Sequence, residues 1–319
     1  MKLLSCVLSS AFFASSISAM AQSSGQAQYR EAVTAYERGD ATAVVRILEP
    51  IAGADQFQGV ELARVWMLLG SSYRINAEYR QAEHAYVVAI QLLKNDSTAL
   101  KEYEIVLRES GELSRELGNA GLAETLQRRG LKLSEQSQDH AAIARACEGL
   151  AELALDGKRL KESERYIKRS EDESRLTTEF DEDDRAYLAQ LKGGTALKRG
   201  EKQDAINDYQ ESITLLTGRY GENFALTGWG DMLLAEAYEQ SGETDKAVEA
   251  ARSGVTILKR TAGDHDPRYA AAEIRYANIL NKAGQFAVAA QLKAQGEAIQ
   301  RDTQQAQCIG CTINVAAFR

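Results

Sequence analysis

Proline is almost missing from this chain: two residues in 319, with three histidines, two tryptophans and four cysteines beside them. So little proline leaves long stretches without the residue that interrupts helices. His84, His140 and His265 share no ligand-like spacing, and there is no His-Glu-x-x-His helix. There is no Gly-x-Ser-x-Gly elbow and no Gly-Lys-Ser/Thr phosphate loop. Gly228-Trp229-Gly230 reads as part of a helix start. Paired acids abound, but at spacings that are ordinary on helical surfaces. These absences point away from catalysis, and the sequence predicts no catalytic residue, no cofactor and no metal. Beyond the first 21 residues no apolar run is long enough to span a bilayer. The formal net charge of -8 argues against nucleic acid or anionic lipid as a partner held by charge alone.

The scarce cysteines divide three ways. Cys6 lies in a leader. Residues 1–21 have Lys2 as a minimal positive region, an apolar stretch from Leu3 to Ile17, and Ala19-Met20-Ala21 as a small-x-small cleavage site. The expectation is a signal peptide cleaved after Ala21, an exported, periplasmic bacterial product starting at Gln22, and a mature charge one unit more negative. Leu3-Leu4-Ser5-Cys6 spells a lipoprotein box, but nothing hydrophobic precedes it. Cys147 falls among apolar positions and reads as a small core residue. Cys308 and Cys311 form Cys-Ile-Gly-Cys near the end. An oxidising compartment favours a disulfide between them. Redox chemistry would need a strand-to-helix context that is missing, and a zinc site would need two more ligands.

What is present is a period. From Ala63 to Leu93 the chain sets Trp66, Leu69, Gly70, Tyr73, Ala77, Tyr79, Ala82, Tyr86, Ala89 and Leu92 at positions 4, 7, 8, 11, 15, 17, 20, 24, 27 and 30. The small residue of position 20 recurs as Val44, Ala82, Ala123, Ser163, Ala205, Ala247 and Ala289, at intervals of 38, 41, 40, 42, 42 and 42. Position 27 is Ile51, Ala89, Gly130, Ser170, Ser212, Gly254 and Gly296, mostly small. Position 15 is Gly39, Ala77, Gly118, Gly200, Gly242 and Gly284, with Gly157 one place early in the fourth copy. Each copy reads as helix, tight turn, helix, with small residues where backbones approach and large apolar ones filling between. One copy cannot bury its own face, so neighbours must stack. The predicted class is all-α: a right-handed solenoid of about seven antiparallel helix pairs over residues 22–302. Residues 303–319 read as a non-helical tail in which Thr312 to Phe318 alternates loosely like a strand. The acidic run Glu179 to Asp184 reads as the capped start of a first helix. Pro50 should kink or shorten its helix.

The pattern resembles the tetratricopeptide repeat. Its longer intervals, and the Gly263-Asp264-His265-Asp266-Pro267 lead into the last copy, resemble the 42-residue variant of kinesin light chains and bacterial relatives. The resemblance implies a scaffold for a protein or peptide partner, held on the concave face built by first helices at positions 2, 5, 9, 12 and 13. Those positions bring forward Tyr29, Tyr36, Arg64, Met67, Arg74, Arg108, Arg115, Tyr187, Trp229, Met232, Asn278 and Asn281. Two patterns are expected among them. Arg64, Arg74, Arg108 and Arg115 make a basic strip unless Glu112 and Glu116 pair with them. Tyr187, Trp229 and Met232 make an apolar anchor. Asn278 and Asn281 resemble groove asparagines that hold a peptide backbone. The Lys/Asn clamp for a free carboxylate is missing: Tyr29 and Val33, or Met67 and Ser71, stand in its place. Two other readings are a docking frame for a reactive Cys308–Cys311 tail, and a structural role in envelope assembly.

Overall fold

The structure, a computed structural model, describes residues 24–53 and 56–307. Among these there are fourteen helices and no strand. They are α1 Ser24–Glu37, α2 Ala41–Ala52, α3 Gly59–Ile75, α4 Tyr79–Leu93, α5 Leu100–Glu116, α6 Ala120–Ser137 and α7 His140–Asp156. The series continues with α8 Leu160–Ser174, α9 Glu182–Arg199, α10 Lys202–Tyr220, α11 Ala225–Ser241, α12 Thr244–Ala262, α13 Pro267–Lys282 and α14 Phe286–Gln307. Odd and even helices pair into seven hairpins, and the class is an all-α helical-repeat solenoid. The described chain forms two compact units that divide at Gly149–Leu150, within α7. In the first unit, one core runs from Ala32 and Leu48 through Tyr86 to Leu126. In the second, Met232, Ala247, Ala272 and Leu280 share a core across hairpins six and seven.

Local chemistry sets the helix ends. The turn before most second helices needs one left-handed residue, and Gly200 and Gly242 supply it at φ 83° and 86°. In the fourth hairpin the left-handed residue is Lys158, at φ 57°, and Gly157 only precedes it. The acidic run behaves as expected. Asp181 accepts from the backbone amides of Asp183 and Asp184, while Asp184 accepts from Asp181, a reciprocal capping box. Asp266 caps α13 through Arg268 N at 2.7 Å, with Pro267 in the first turn. α2 ends two residues after Pro50.

One boundary differs from expectation: α14 continues to Gln307, five residues beyond the expected end of the solenoid. Residues 303–307 contain neither glycine nor proline, and alanine and glutamine propagate a helix well. The leader, the Cys308–Cys311 motif and the strand-like segment lie outside the described residues.

The packing rests on size matching between positions 8 and 24. Position 8 is only glycine or alanine: Ala32, Gly70, Gly111, Ala151, Gly193, Ala235 and Ala277. Tyr86 fills the space over Gly70, where an added Cβ would come within 2.6 Å of its ring. Tyr209 does the same over Gly193, at 2.8 Å. The side chain of Gln127 lies over both Gly111 and Gly149. Two copies with alanine at position 8 carry a position-24 residue smaller than tyrosine, Ala32 with Leu48 and Ala235 with Ala251, both pairs fully buried; in the seventh copy position 24 is the exposed Lys293 and takes no part. Positions 1 and 27 form a second contact, backbone against backbone. A Cβ on Gly254 would reach 2.6 Å from Gly228 O, and one on Gly296 would reach 2.7 Å from Ala270 O.

Gly70→Ala should therefore lower stability by about 1–3 kcal/mol through overpacking. Adding Tyr86→Leu should cancel that clash, because it recreates the Ala32–Leu48 pairing, so the double variant should be no less stable than Tyr86→Leu alone. Urea unfolding followed by circular dichroism measures both. Simple additivity of the two losses would contradict the size-matching account.

Candidate partner-binding wall

First helices present positions 2, 9, 12 and 13 away from the hairpin crossings. In the first unit that wall is ionic. Arg74 at the end of α3 reaches three glutamates of α5: Glu109 at 3.3 Å, Glu112 at 2.9 Å and Glu116 at 2.8 Å. Arg108 of α5 lies 2.9 Å from Glu109, 3.4 Å from Glu112 and 3.7 Å from Glu104. Arg64 pairs with Glu102 at 2.5 Å. The Arg74 side chain is only 7% exposed, so water cannot replace its carboxylates.

Burial and charge compete here. Burial works against the Arg74 charge, but Glu116, Glu112 and Glu109 outweigh it and hold the guanidinium well above its ordinary pKa. Burial likewise works to raise the Glu116 carboxyl, but Arg74, with help from Arg115, holds it below the ordinary range. Glu104 goes the other way: burial lifts its carboxyl to about 7 against the pull of Arg108 and Arg145.

In the second unit the wall is more open. The Arg275 guanidinium of α13 stacks 4.8 Å from the centre of the Trp229 ring of α11 and reaches Glu236 at 2.6 Å. Lys282 pairs with Glu239 at 2.6 Å. Asn278 and Asn281 on α13 are exposed, and their side chains make no hydrogen bond among the described residues. Tyr187 donates its hydroxyl to Glu152, and Gln190 Nε2 donates to Ser212 Oγ at 3.0 Å.

The residues singled out from the sequence therefore separate. Asn278 and Asn281 are exposed; Tyr29, Arg64, Arg115 and Trp229 are half-buried; Tyr36, Met67, Arg74, Arg108, Tyr187 and Met232 are buried. The four arginines do not form a free basic strip. They meet the glutamates of α5, and Arg115 lies close enough to Glu116 to lower its carboxyl. Nor do Tyr187, Trp229 and Met232 form an anchor. Position 5 is one helical turn from position 1, so it shares the face that meets the second helix. Met232 accordingly fills the crossing beside Gly254, and Met67 lies in the core of the first unit. Trp229 is covered by Arg275, a residue at position 6 that the wall positions omit. The missed signal is opposite charge one repeat apart: Arg64 and Glu102 by 38 residues, Arg74 and Glu116 by 42, Glu236 and Arg275 by 39, Glu239 and Lys282 by 43.

Solved structures resemble this arrangement. A Rap protein complexed with competence and sporulation factor matches with a TM-score of 0.65 at 13% identity, over 90% of this chain and 89% of its own. The Rap conjugation gene regulator of plasmid pLS20, in complex with the Phr* peptide, matches with 0.69 at 11% identity, over 91% and 78%. A tetratricopeptide repeat protein from Parabacteroides merdae matches with 0.52 at 12% identity, over 89% and 98%. The fold is that of a tetratricopeptide repeat protein. No protein-family model matches the sequence, and neither does any curated protein. No tetratricopeptide helix among the described residues is long and apolar enough to cross a membrane.

Within this tetratricopeptide wall, Arg74 should be structural. Arg74→Met takes one buried cation from three carboxylates, leaving Glu109 and Glu112 to Arg108 and Glu116 to Arg115, and should cost about 3–5 kcal/mol at pH 7. The gap from wild type should narrow on acidification. In the wild type Glu116 titrates below its unfolded value, so its contribution is present at neutral pH and lost as pH falls through the folded pKa. In the variant the carboxyls that lose Arg74 titrate above theirs and gain stability on taking protons. Unfolding midpoints at pH 7 and pH 5 test this; an unchanged gap would show that Arg74 does not hold these acids.

Proposed function

We propose that this chain is a non-enzymatic scaffold that binds an extended peptide segment of a partner protein along the first-helix wall of its second unit. The observation that carries the reading is the pair of exposed amides, Asn278 and Asn281, with side chains that bond to nothing within the described residues. An amide side chain offers both a donor and an acceptor, the complement of a peptide backbone. They lie on one face of α13, three residues apart, so both can engage one extended strand. Support also comes from the solved neighbours, one in complex with the Phr* peptide and one complexed with competence and sporulation factor. The first unit supports this role less, because the carboxylates of its wall are already engaged by arginines.

An array of random decapeptides probed with the full chain and with an Asn278→Ala/Asn281→Ala variant tests the reading. Two hydrogen bonds at about 0.5–1.5 kcal/mol each predict a loss of about fivefold to a hundredfold on the peptides that bind. Equal binding by the variant would place the site elsewhere.

We also infer export, from the leader over residues 1–21. Sequencing the amino terminus of the chain recovered from a bacterial periplasm should begin at Gln22. Recovery of a chain that still starts at Met1, in the cytoplasm only, would refute it.

A further inference from the structure

We propose that Trp229 and Glu236 form a receptor for a basic side chain of the bound segment, and that Arg275 occupies it as an internal placeholder. This rests on the peptide-binding reading above and assigns the chemistry of one subsite. An aromatic face beside a carboxylate offers a guanidinium both a cation–π contact and a charge-assisted hydrogen bond. Arg275 makes both, with the ring at 4.8 Å and Glu236 Oε1 at 2.6 Å.

The placeholder is loosely held. Its side chain is 36% exposed and that of Glu236 is 34% exposed, against 7% for Arg74 in the first unit. Arg74 meets three carboxylates, whereas among the described residues Arg275 pairs with Glu236 alone. A surface pair of this kind is worth little, because water and salt compete with it. A ligand cation can replace it and leave Arg275 solvated at small cost.

Charge favours that occupant over an acidic one. Glu239 lies one turn beyond Glu236 on α11, and its cation, Lys282, is 63% exposed. A basic segment therefore finds two carboxylates in reach, on a chain of formal charge -8. An acidic segment would have to draw Arg275 away and leave Glu236 without a cation. Asn278, one turn beyond Arg275 on α13, is placed to hold the backbone beside the basic residue.

The experiment uses the full chain carrying Trp66→Phe, so that Trp229 is the sole tryptophan emitter. The probes are acetylated and amidated hexapeptides, five alanines with arginine or glutamate at the third place. The arginine peptide should perturb Trp229 emission, and the glutamate peptide should bind at least tenfold more weakly. Arg275→Ala should tighten the arginine peptide about fivefold, the factor that about 1 kcal/mol of lost competition gives. Arg275→Gln should act in the same direction, which guards against a folding defect in one variant. Glu236→Gln should weaken binding about tenfold. If both peptides bind alike and the Arg275 variants bind no more tightly, the basic-side-chain assignment is overturned while the wall remains a peptide site. If neither peptide perturbs Trp229 and the decapeptide array is also silent, both readings fall.

Discussion

A two-helix hairpin exposes more apolar surface than it can cover, and the rest of this architecture follows from that deficit. Covering it requires each hairpin to stack on the next, and stacking at native density requires helices to approach within contact of their backbones. The approach is possible only where side chains are nearly absent. Hence position 8 is restricted to glycine and alanine, and hence Gly254 and Gly296 stand within 3 Å of a carbonyl for any Cβ that might replace their hydrogens. In several copies the large residues are then set by what the small ones leave: tyrosine over Gly70 and Gly193, leucine beside Ala32 and alanine beside Ala235.

Stacking also brings charges one repeat apart into register, and burial decides what becomes of them. In the first unit the arginines and glutamates of α3 and α5 lie deep, so each charge must be matched, and removing one partner exposes the cost of the others. In the second unit, pairs of the same period lie near the surface, where water and salt reduce their worth to a fraction. The geometry is alike and the consequence is opposite. One set is held by burial as part of the structure, and the other lies where a ligand cation could compete for it.

The sequence was most legible where the physics is steric. The seven hairpins, the turn before each second helix, the acidic cap at Asp181 and the Asp266–Pro267 start all followed from residue size, φ preference and side-chain capping, which are local properties. It was least legible where the outcome depends on which residue faces which. Arginines 64, 74, 108 and 115 are spaced as a strip, but α5 carries glutamates opposite them. Met67 and Met232 share a period with wall residues, but the turn they occupy faces the crossing. Lys158 took the left-handed turn beside an available glycine. α14 runs past residue 302, where the repeat pattern ends, because glutamine and alanine extend a helix unless something breaks it.

That contrast bears on where function resides. Position 8, confined by the crossing, holds two residue types in seven copies. Position 9, the next residue, holds Val33, Ser71, Glu112, Glu152, Gly194, Glu236 and Asn278. It touches the crossing in some copies, as where Ser71 meets the Tyr86 hydroxyl, but it takes five residue types in seven copies, so its identity is freer to serve something other than folding. A fold of this kind fixes a surface without fixing a ligand, and the chemistry of recognition must be sought where the repeat is least regular. In the second unit those irregular positions supply a carboxylate beside a stacked tryptophan, and amides whose side chains bond to nothing among the described residues. The seventh hairpin keeps Ala277 at position 8 and the close Gly296–Ala270 approach, yet it carries Arg275, Asn278 and Lys282 on its free face. The same hairpin can thus meet the small-residue packing demand and the proposed binding role independently, because the two demands fall on different sides of one helix.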